Sequence, residues 1–115
     1  MATARSGTLT EKKCTPCSGD TPPLDEAEAE QLLAQVEAWE QHNGAIERTF
    51  EFDDFHQTMS FVNAVAWIAN RQNHHPDLEV GYARCKVRFS THAIDGLSQN
   101  DFICAAKVNA LLEES

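Results

Sequence analysis

The sequence predicts an α+β fold in two layers, in which three amphipathic helices pack on one face of an antiparallel sheet. Apolar residues follow a helical period in three segments and a period of two in the segments between them. Short connections separate neighbouring strand-like segments, which favours antiparallel pairing. The chain has 115 residues, of which 42% are apolar, and this suffices for one domain with a hydrophobic core.

The charge balance disfavours two classes of partner. Nine Lys and Arg residues against eighteen Asp and Glu residues give a formal net charge of −9. An acidic surface repels phosphates and anionic lipids, so we expect neither nucleic acid nor a membrane as a partner. No apolar run approaches the roughly 20 residues that span a bilayer. The first ten residues also lack the apolar core of a secretory signal, so we expect a cytoplasmic protein.

An N-terminal arm at residues 1–23 is predicted ahead of a domain at residues 24–115. The arm is rich in Thr, Ser, Lys, Gly and Pro, has no apolar period, and ends at Pro22-Pro23.

The four cysteines fall into two groups. Cys14 and Cys17 of the arm have a C-x-x-C spacing, which is compatible with half a zinc site, a redox pair or no chemistry at all. The chain contains no second C-x-x-C, so we expect no bound metal there. Cys85 and Cys104 lie in periodic segments and are expected to be small buried residues.

The first helix is predicted to begin after Asp25. The Asp25 side chain can cap free N–H groups, and Glu28 completes a capping-box pattern. Apolar residues at helical spacing continue as far as Trp39. Asn43-Gly44 is expected to end the helix, because glycine tolerates the left-handed conformation that ends helices.

A period of two from Ala45 predicts a half-buried strand. The apolar residues on its inward face are Ile46, Phe50 and Phe52. Phe55 is expected to begin a short paired strand. The second helix is predicted from Gln57 to Gln72, and Pro76 prevents it from continuing. The residues of its buried stripe are Phe61, Val62, Val65, Ile68 and Ala69.

Two further strands and a third helix complete the chain. The strands are predicted from alternating apolar residues, which are Leu78, Val80 and Tyr82 in one and Cys85, Val87 and Phe89 in the next. Ser98 and Asp101 form a capping-box pattern that opens the last helix. The apolar residues of this helix are Ile103, Cys104, Val108, Leu111 and Leu112.

Three histidines are the main candidates for chemistry. His74 and His75 precede Pro76, and the following pair of strands returns the chain so that His92 lies near them. Imidazole gives and takes a proton near neutral pH, which suits dehydration, isomerisation or hydrolysis. Two alternatives stay open. The pair before the proline could cap the helix and face solvent, or the three rings could bind a catalytic zinc ion.

Asp101 has two candidate roles. As part of the capping box it can bind the start of the last helix, and it could also orient His92, because carboxylates commonly fix a histidine tautomer. His42 and His56 lie at polar positions near the ends of elements, where we expect surface residues.

The most specific part of the chain is the run HHPDLEVGYARCKVRFSTHAIDGLSQNDF at residues 74–102. It resembles the pterin-4a-carbinolamine dehydratase family, also called 4a-hydroxytetrahydrobiopterin dehydratases, and the resemblance spans residues 9–113. It implies a cofactor-independent lyase that converts a 4a-hydroxytetrahydropterin, released by an aromatic amino acid hydroxylase, to quinonoid dihydropterin and water. It also implies a four-stranded sheet, a homodimer or homotetramer, and phenylalanine hydroxylase as a partner.

The resemblance assigns roles to individual positions. The family's three active-site histidines are matched by His74, His75 and His92. The residues matching the family's pterin pocket are Asn73, Ser90 and Thr91. Asp101 matches the acid that supports the third histidine. Asn70 and Leu78 replace an acidic residue and a tryptophan found in many members, so we also expect these two positions to affect substrate binding.

Two other functions remain compatible with the sequence. Vertebrate relatives of the family also serve as a dimerisation partner of a homeodomain transcription factor, so the chain could be an interaction module. The histidines, or Cys14 and Cys17, could instead serve a zinc-dependent hydrolase.

Overall fold

The computed structural model describes residues 9–16 and 21–112 and confirms the two-layer α+β fold. In chain order the elements are α1 (Glu26–Leu33), β1 (Glu40–His42), β2 (Ala45–Glu51), α2 (Phe55–Gln72), β3 (Asp77–Val80), β4 (Arg84–Phe89) and α3 (Gln99–Ala110). The strands form one antiparallel sheet in the order β1-β2-β4-β3. Within the described residues, no helix is both long and apolar enough to cross a bilayer.

The hydrophobic core lies between one face of the sheet and the helices. The inward residues of β4 are fully buried, as their alternation predicts, and they are Cys85, Val87 and Phe89. The buried stripe of α2 packs on this core and consists of Phe61, Val65, Ile68 and Ala69. Helix α3 begins at the predicted capping box of Ser98 and Asp101 and is buried on most sides. Leu111 and Leu112 follow its end and are exposed, contrary to the prediction.

The first helix is shorter than predicted. It begins at the capping box of Asp25 and Glu28, but it ends at Leu33. Asn43 and Gly44 instead form the two-residue turn between β1 and β2, with φ angles of 50° and 76°. Two positive φ angles are typical of a type I′ hairpin turn, whose twist matches that of paired strands. The prediction was wrong because Asn-Gly suits both a helix end and a hairpin turn.

Trp39 is buried although it lies outside the helix. Its indole Nε1–H donates to Oδ1 of Asn109 at 2.8 Å, and its ring packs against Phe50 and Phe89. The apolar spacing that suggests a longer helix therefore reflects tertiary packing of an irregular segment against the sheet and α3.

The prediction that Phe55 begins a strand was also wrong, because Phe55 is the first residue of α2. The side chain of Asp54 accepts a hydrogen bond from the backbone N–H of Gln57 and so caps the helix. The ring of Phe55 stacks on Tyr82, which lies beyond β3 and is exposed.

The described part of the arm, residues 9–16, packs against the domain. Leu9 is buried, and the backbone N–H of Cys14 donates to Oε1 of Gln72 in α2 at 2.9 Å. Cys17, the second cysteine of the C-x-x-C spacing, lies outside the described residues.

Candidate functional site

A cavity of about 340 Å³ brings together most of the residues identified from the sequence. The loop after α2 and the loop after β4 form most of its wall. These loops meet because β3 and β4 pair as a hairpin, which returns the chain to the end of α2. The lining residues are Thr15, Pro16, Asn73, His74, His75, Ser90, Thr91, His92, Ala93 and Asn100.

A larger cavity, of about 620 Å³, lies between the arm, α2 and α3. Its walls include Trp67 and Ile68, and Lys and Arg side chains surround it. Among the described residues, the smaller cavity is the one that gathers imidazole rings, which exchange protons near neutral pH. The smaller cavity is therefore the candidate active site.

The end of α2 turns His74 into the protein. Asn73 follows the helix with φ 54° and ψ 43°, a left-handed conformation that asparagine tolerates better than most residues. The backbone N–H of His74 donates to the carbonyl of Ala69 at 3.1 Å and closes the turn. Pro76 then prevents any further helix. As a result, the His74 side chain is 11% exposed, whereas His75 faces solvent.

Asp101 contacts His74, not His92. Its Oδ1 lies 2.6 Å from Nε2 of His74, and its Oδ2 accepts hydrogen bonds from Oγ1 of Thr91 and from the backbone N–H of Ser98. The expectation that Asp101 orients His92 is therefore corrected. The capping box fixes the carboxylate inside the protein at the start of α3, while His92 is exposed.

The surroundings of His74 favour its protonated form. Burial lowers the pKa of His74, but the hydrogen bond and negative charge of Asp101, together with the charge of Cys14, raise it above the usual 6.5. The ring also stacks on Phe89, with ring centroids 6.0 Å apart and planes at 11°. The imidazole is thus held in one orientation, and Nδ1 is the nitrogen not bound to Asp101.

His75 is held by Asn70. Its Nε2 lies 3.1 Å from Oδ1 of Asn70. An amide oxygen only accepts hydrogen bonds, so Nε2 carries the hydrogen and the neutral ring leaves Nδ1 as a proton acceptor. Asn70, expected to affect substrate binding, does not line the cavity and reaches it through His75.

The loop that carries His92 is fixed at both ends. Thr91 and Gly96 form an antiparallel bridge, in which the Thr91 N–H donates to the Gly96 carbonyl at 2.9 Å. His92 begins a short 3-10 helix inside this loop. A Cβ at Gly96 would lie 3.0 Å from Cβ of Pro23, so any larger residue there would have to displace Pro23 by a few tenths of an ångström.

Leu78, also expected to contact the substrate, does not line the cavity. It is half-buried in β3, where it pairs with Val87 of β4 and packs against the core. Its position in the strand directs it to the sheet's packed face. Asn73 and Ser90 line the cavity, and their role in substrate binding stays a prediction.

Four lining residues were not predicted from the sequence, and they are Thr15, Pro16, Ala93 and Asn100. The Thr15 N–H donates to Oδ1 of Asn100 at 3.0 Å, and Nδ2 of Asn100 donates to the Thr15 carbonyl at 2.7 Å. This two-way pairing makes the arm one wall of the cavity. The arm has no apolar period that could have indicated such a contact.

The side chains considered as metal ligands do not form a cluster in the described residues. Residues 9–16 and 21–112 contain no group of three or more His, Cys, Asp or Glu side chains that could hold a metal ion. His42 and His56 are exposed, and Cys85 and Cys104 are fully buried, as expected for all four.

Comparison with known sequences identifies one family. Residues 22–111 match the family model described as pterin 4 alpha carbinolamine dehydratase. A Nitrosomonas europaea protein provisionally named pterin-4-alpha-carbinolamine dehydratase is 56% identical over 106 residues, which cover 91% of this chain and 94% of that protein. A Stenotrophomonas maltophilia protein with the same provisional name is 54% identical over 108 residues, which cover 92% and 93%.

Solved structures agree with the fold. The crystal structure of a transcriptional coactivator/pterin dehydratase from Brucella melitensis matches with a TM-score of 0.76 and 31% identity, covering 79% of this chain and 99% of that one. A pterin dehydratase-like protein described as a RuBisCO assembly factor in the alpha-carboxysome matches with a TM-score of 0.56 and 22% identity. That match covers 67% of this chain and 89% of the other, and it supports the fold alone.

Proposed function

Because the chain belongs to the pterin-4-alpha-carbinolamine dehydratase family, we propose that it is a hydro-lyase acting on a 4a-hydroxytetrahydropterin, such as 4a-hydroxytetrahydrobiopterin. The products are quinonoid dihydropterin and water. The observation that carries the proposal is the convergence of His74, His75 and His92 on one cavity. Its volume of about 340 Å³ lies within the range of small-molecule sites.

The proposed reaction requires two proton transfers. The C4a–O bond breaks and the oxygen leaves as water, so an acid must deliver a proton to the hydroxyl. The proton on the neighbouring ring nitrogen must leave as the C4a=N5 double bond forms, so a base must accept it. A positioned acid or base typically contributes about 10²–10⁴-fold to the rate.

We assign the acid to His74 and the base to His75. The raised pKa of His74 favours the protonated ring near neutral pH, and its Nδ1 is available to donate. The neutral ring of His75 has Nδ1 available to accept, because Nε2 donates to Asn70. His92, on the wall formed by the other loop, is an exposed ring that can exchange protons with solvent.

Polar residues of the cavity are assigned to substrate binding. The hydroxyl of Thr91 is buried and donates to Asp101, so Thr91 is assigned to holding that carboxylate. Asn73 and Ser90 also line the cavity, and neither is assigned to holding Asp101. Their amide and hydroxyl groups suit the donor and acceptor edge of a pterin ring.

We extend the proposal to the physiological setting on the strength of the family. The enzyme would return tetrahydropterin to an aromatic amino acid hydroxylase, with phenylalanine hydroxylase as its partner, in the cytoplasm.

A homodimer or homotetramer is proposed as the working state. Strands β1 and β3 are the edges of the sheet and offer backbone groups for pairing. Trp67 is 62% exposed and lines the larger cavity together with Leu111, and Leu111 and Leu112 are also exposed. Light scattering after gel filtration tests this state, and a monomer at micromolar concentration would contradict it.

The decisive experiment measures the dehydration of 4a-hydroxytetrahydropterin generated by phenylalanine hydroxylase and followed by ultraviolet absorbance. We expect acceleration by the wild type and its loss in His75→Gln and His92→Gln. His56→Gln is the matched control, because His56 is exposed in the first turn of α2, at the opposite end of that helix from the cavity. A folded wild type without activity would overturn the proposal and favour an interaction role, which the Brucella melitensis protein described as a transcriptional coactivator/pterin dehydratase suggests.

A further inference from the structure

Cys14 of the arm lies against the buried Cys104 beside the candidate active site. The sulfur of Cys14 lies 3.6 Å from the sulfur of Cys104 in α3, although the two residues are 90 positions apart in the chain. Cys104 is fully buried, whereas Cys14 is partly exposed. Cys14 is therefore the more accessible residue of the pair, while Cys104 is shielded by the core.

Hydrogen bonds from the backbone of the arm to α2 and to α3 hold Cys14 in position. The Cys14 N–H donates to Oε1 of Gln72 in α2 at 2.9 Å. The next residue, Thr15, exchanges two hydrogen bonds with Asn100 in the first turn of α3. These bonds fix the segment that carries Cys14, so the two sulfurs are positioned by specific contacts.

The two thiols differ in acidity. The hydrogen bond between the two thiols lowers the pKa of Cys14, and the positive charges of His74 and Lys107 also lower it, whereas burial and the negative charge of Asp101 oppose the change. The same hydrogen bond, together with burial, raises the pKa of Cys104. Because the thiolate is the nucleophile, oxidation is expected to begin at Cys14.

We propose that Cys14 and Cys104 form a redox modification site that a hydroperoxide, such as hydrogen peroxide, converts to a disulfide. With hydrogen peroxide, the sulfur of Cys14 attacks one peroxide oxygen, the O–O bond breaks, and sulfenic acid and one water form. The sulfur of Cys104 then displaces the hydroxyl of the sulfenic acid, which takes up the thiol proton and leaves as a second water. Two thiols and one peroxide thus give one disulfide and two waters.

The proposed disulfide would lock the arm to α3. A disulfide has a sulfur–sulfur distance of about 2.05 Å, so the sulfurs need to approach by roughly 1.5 Å. Thr15 and Pro16, the two residues after Cys14, line the cavity. Oxidation would therefore immobilise one cavity wall and close a long covalent loop, which should raise the melting temperature until a thiol reductant is added. The proposal rests on this cysteine pair and does not depend on the dehydratase activity.

Mass spectrometry tests the proposal directly. The full chain is treated with equimolar hydrogen peroxide, free thiols are alkylated, and the digested peptides are mapped. We expect a Cys14–Cys104 linkage in the wild type and in Cys17→Ser, and its absence in Cys14→Ser. Buried Cys85 should stay unoxidised and serves as the internal control. A Cys14–Cys17 linkage as the main product would overturn the proposal.

A trapping experiment tests the order of the steps. In Cys104→Ala, which places a small apolar residue at a buried position, the sulfenic acid on Cys14 has lost its partner. We expect dimedone to label Cys14 at least tenfold more in this variant than in the wild type. Equal labelling in the two proteins would contradict the proposed role of Cys104. The linkage map of the wild type remains decisive if this variant does not fold.

Discussion

Nε2 of His74 lies 2.6 Å from Oδ1 of Asp101, whose side chain is completely buried. The pair joins the end of α2 to the start of α3, because His74 follows the left-handed turn at Asn73 and Asp101 belongs to the capping box of α3. The same carboxylate thus caps a helix and controls the charge of an imidazole in the cavity.

Asp101→Asn is expected to lower the pKa of His74. The negative charge beside the ring is lost in the variant, and its amide nitrogen cannot accept the hydrogen bond that Oδ2 takes from the Ser98 N–H. An NMR titration of the imidazole should give a value above 6.5 in the wild type and a lower value in the variant. The exposed ring of His56 serves as the internal reference. A His74 titration that is the same in both proteins would contradict the assignment.

The raised pKa of His74 also makes the free energy of unfolding depend on pH. The folded state binds this proton more tightly than the unfolded state does. The stabilisation is therefore complete below about 6.5 and is lost as the pH rises through the folded-state pKa. In urea unfolding, the free energy of unfolding of the wild type should exceed that of Asp101→Asn, and this difference should be smaller at alkaline pH than at acidic pH. A difference that grows with pH would have the wrong sign.

Removal of either exposed ring should impair catalysis. In His75→Ala or His92→Ala, we expect kcat/KM for dehydration to fall by at least about tenfold, because the first variant loses the assigned base and the second loses the ring that exchanges protons with solvent. His42→Ala is the control, since His42 is an exposed residue of β1 that does not line the cavity. Unchanged turnover in both folded variants would remove the two rings from the mechanism.

The arm should contribute to substrate binding more than to chemistry. Gln72→Ala removes the hydrogen bond to the Cys14 N–H without changing a residue that lines the candidate active site. A typical hydrogen bond contributes about 0.5–1.5 kcal/mol, so we expect KM to rise about two- to tenfold with little change in kcat. Gln57→Ala is matched, because Gln57 accepts a backbone hydrogen bond from Asp53 at the other end of α2. An equal rise in KM in both variants would exclude a specific role of the arm.

Regular elements could be predicted where periodicity and capping agree. The alternation in β4 and the capping box of Ser98 and Asp101 each identify an element, because burial on one face and backbone hydrogen bonding are local requirements. The segment around Trp39 could not be predicted in this way. Its burial depends on distant partners such as Phe89 and Asn109, and nothing local identifies them.

In the candidate active site, too, contacts between residues distant in the chain could not be predicted from local sequence patterns. The convergence of His75 and His92 follows from a hairpin that the strand pattern predicts. The partner of Asp101 does not follow, because a capping box locates a carboxylate on its own helix but not the side chain that reaches it from another element. The contact of Thr15 with Asn100 could not be predicted either, since two hydrogen bonds between residues 85 positions apart leave no periodic pattern in the sequence.

A substitution at Gly44 tests whether Asn43 and Gly44 form the turn between β1 and β2. Gly44 has φ 76° with open space around its Cα, so Gly44→Ala should cost about 1–2 kcal/mol through backbone strain alone. Gly81→Ala is the matched control, because a Cβ there would make only ordinary contacts, the nearest at 3.4 Å to Arg84. Urea unfolding gives both values. Equal effects of the two substitutions would argue against the left-handed turn.

Asn70→Asp tests the assignment of His75 as the base. The substitution keeps the shape of the side chain and replaces the amide oxygen, 3.1 Å from Nε2 of His75, by a carboxylate oxygen. A negative charge at this position favours the protonated ring. Since a base must be neutral to accept a proton, the acidic limb of the pH profile of kcat/KM should move to higher pH.

The control for this charge is Asn63→Asp, which adds the same charge at an exposed position of α2 about two turns earlier. Because water and salt screen a charge at that distance, its profile should match that of the wild type. If Asn70→Asp leaves the acidic limb in place or moves it to lower pH, neutral His75 is not the base. The proton from the ring nitrogen must then pass to His92, the other exposed imidazole of the cavity.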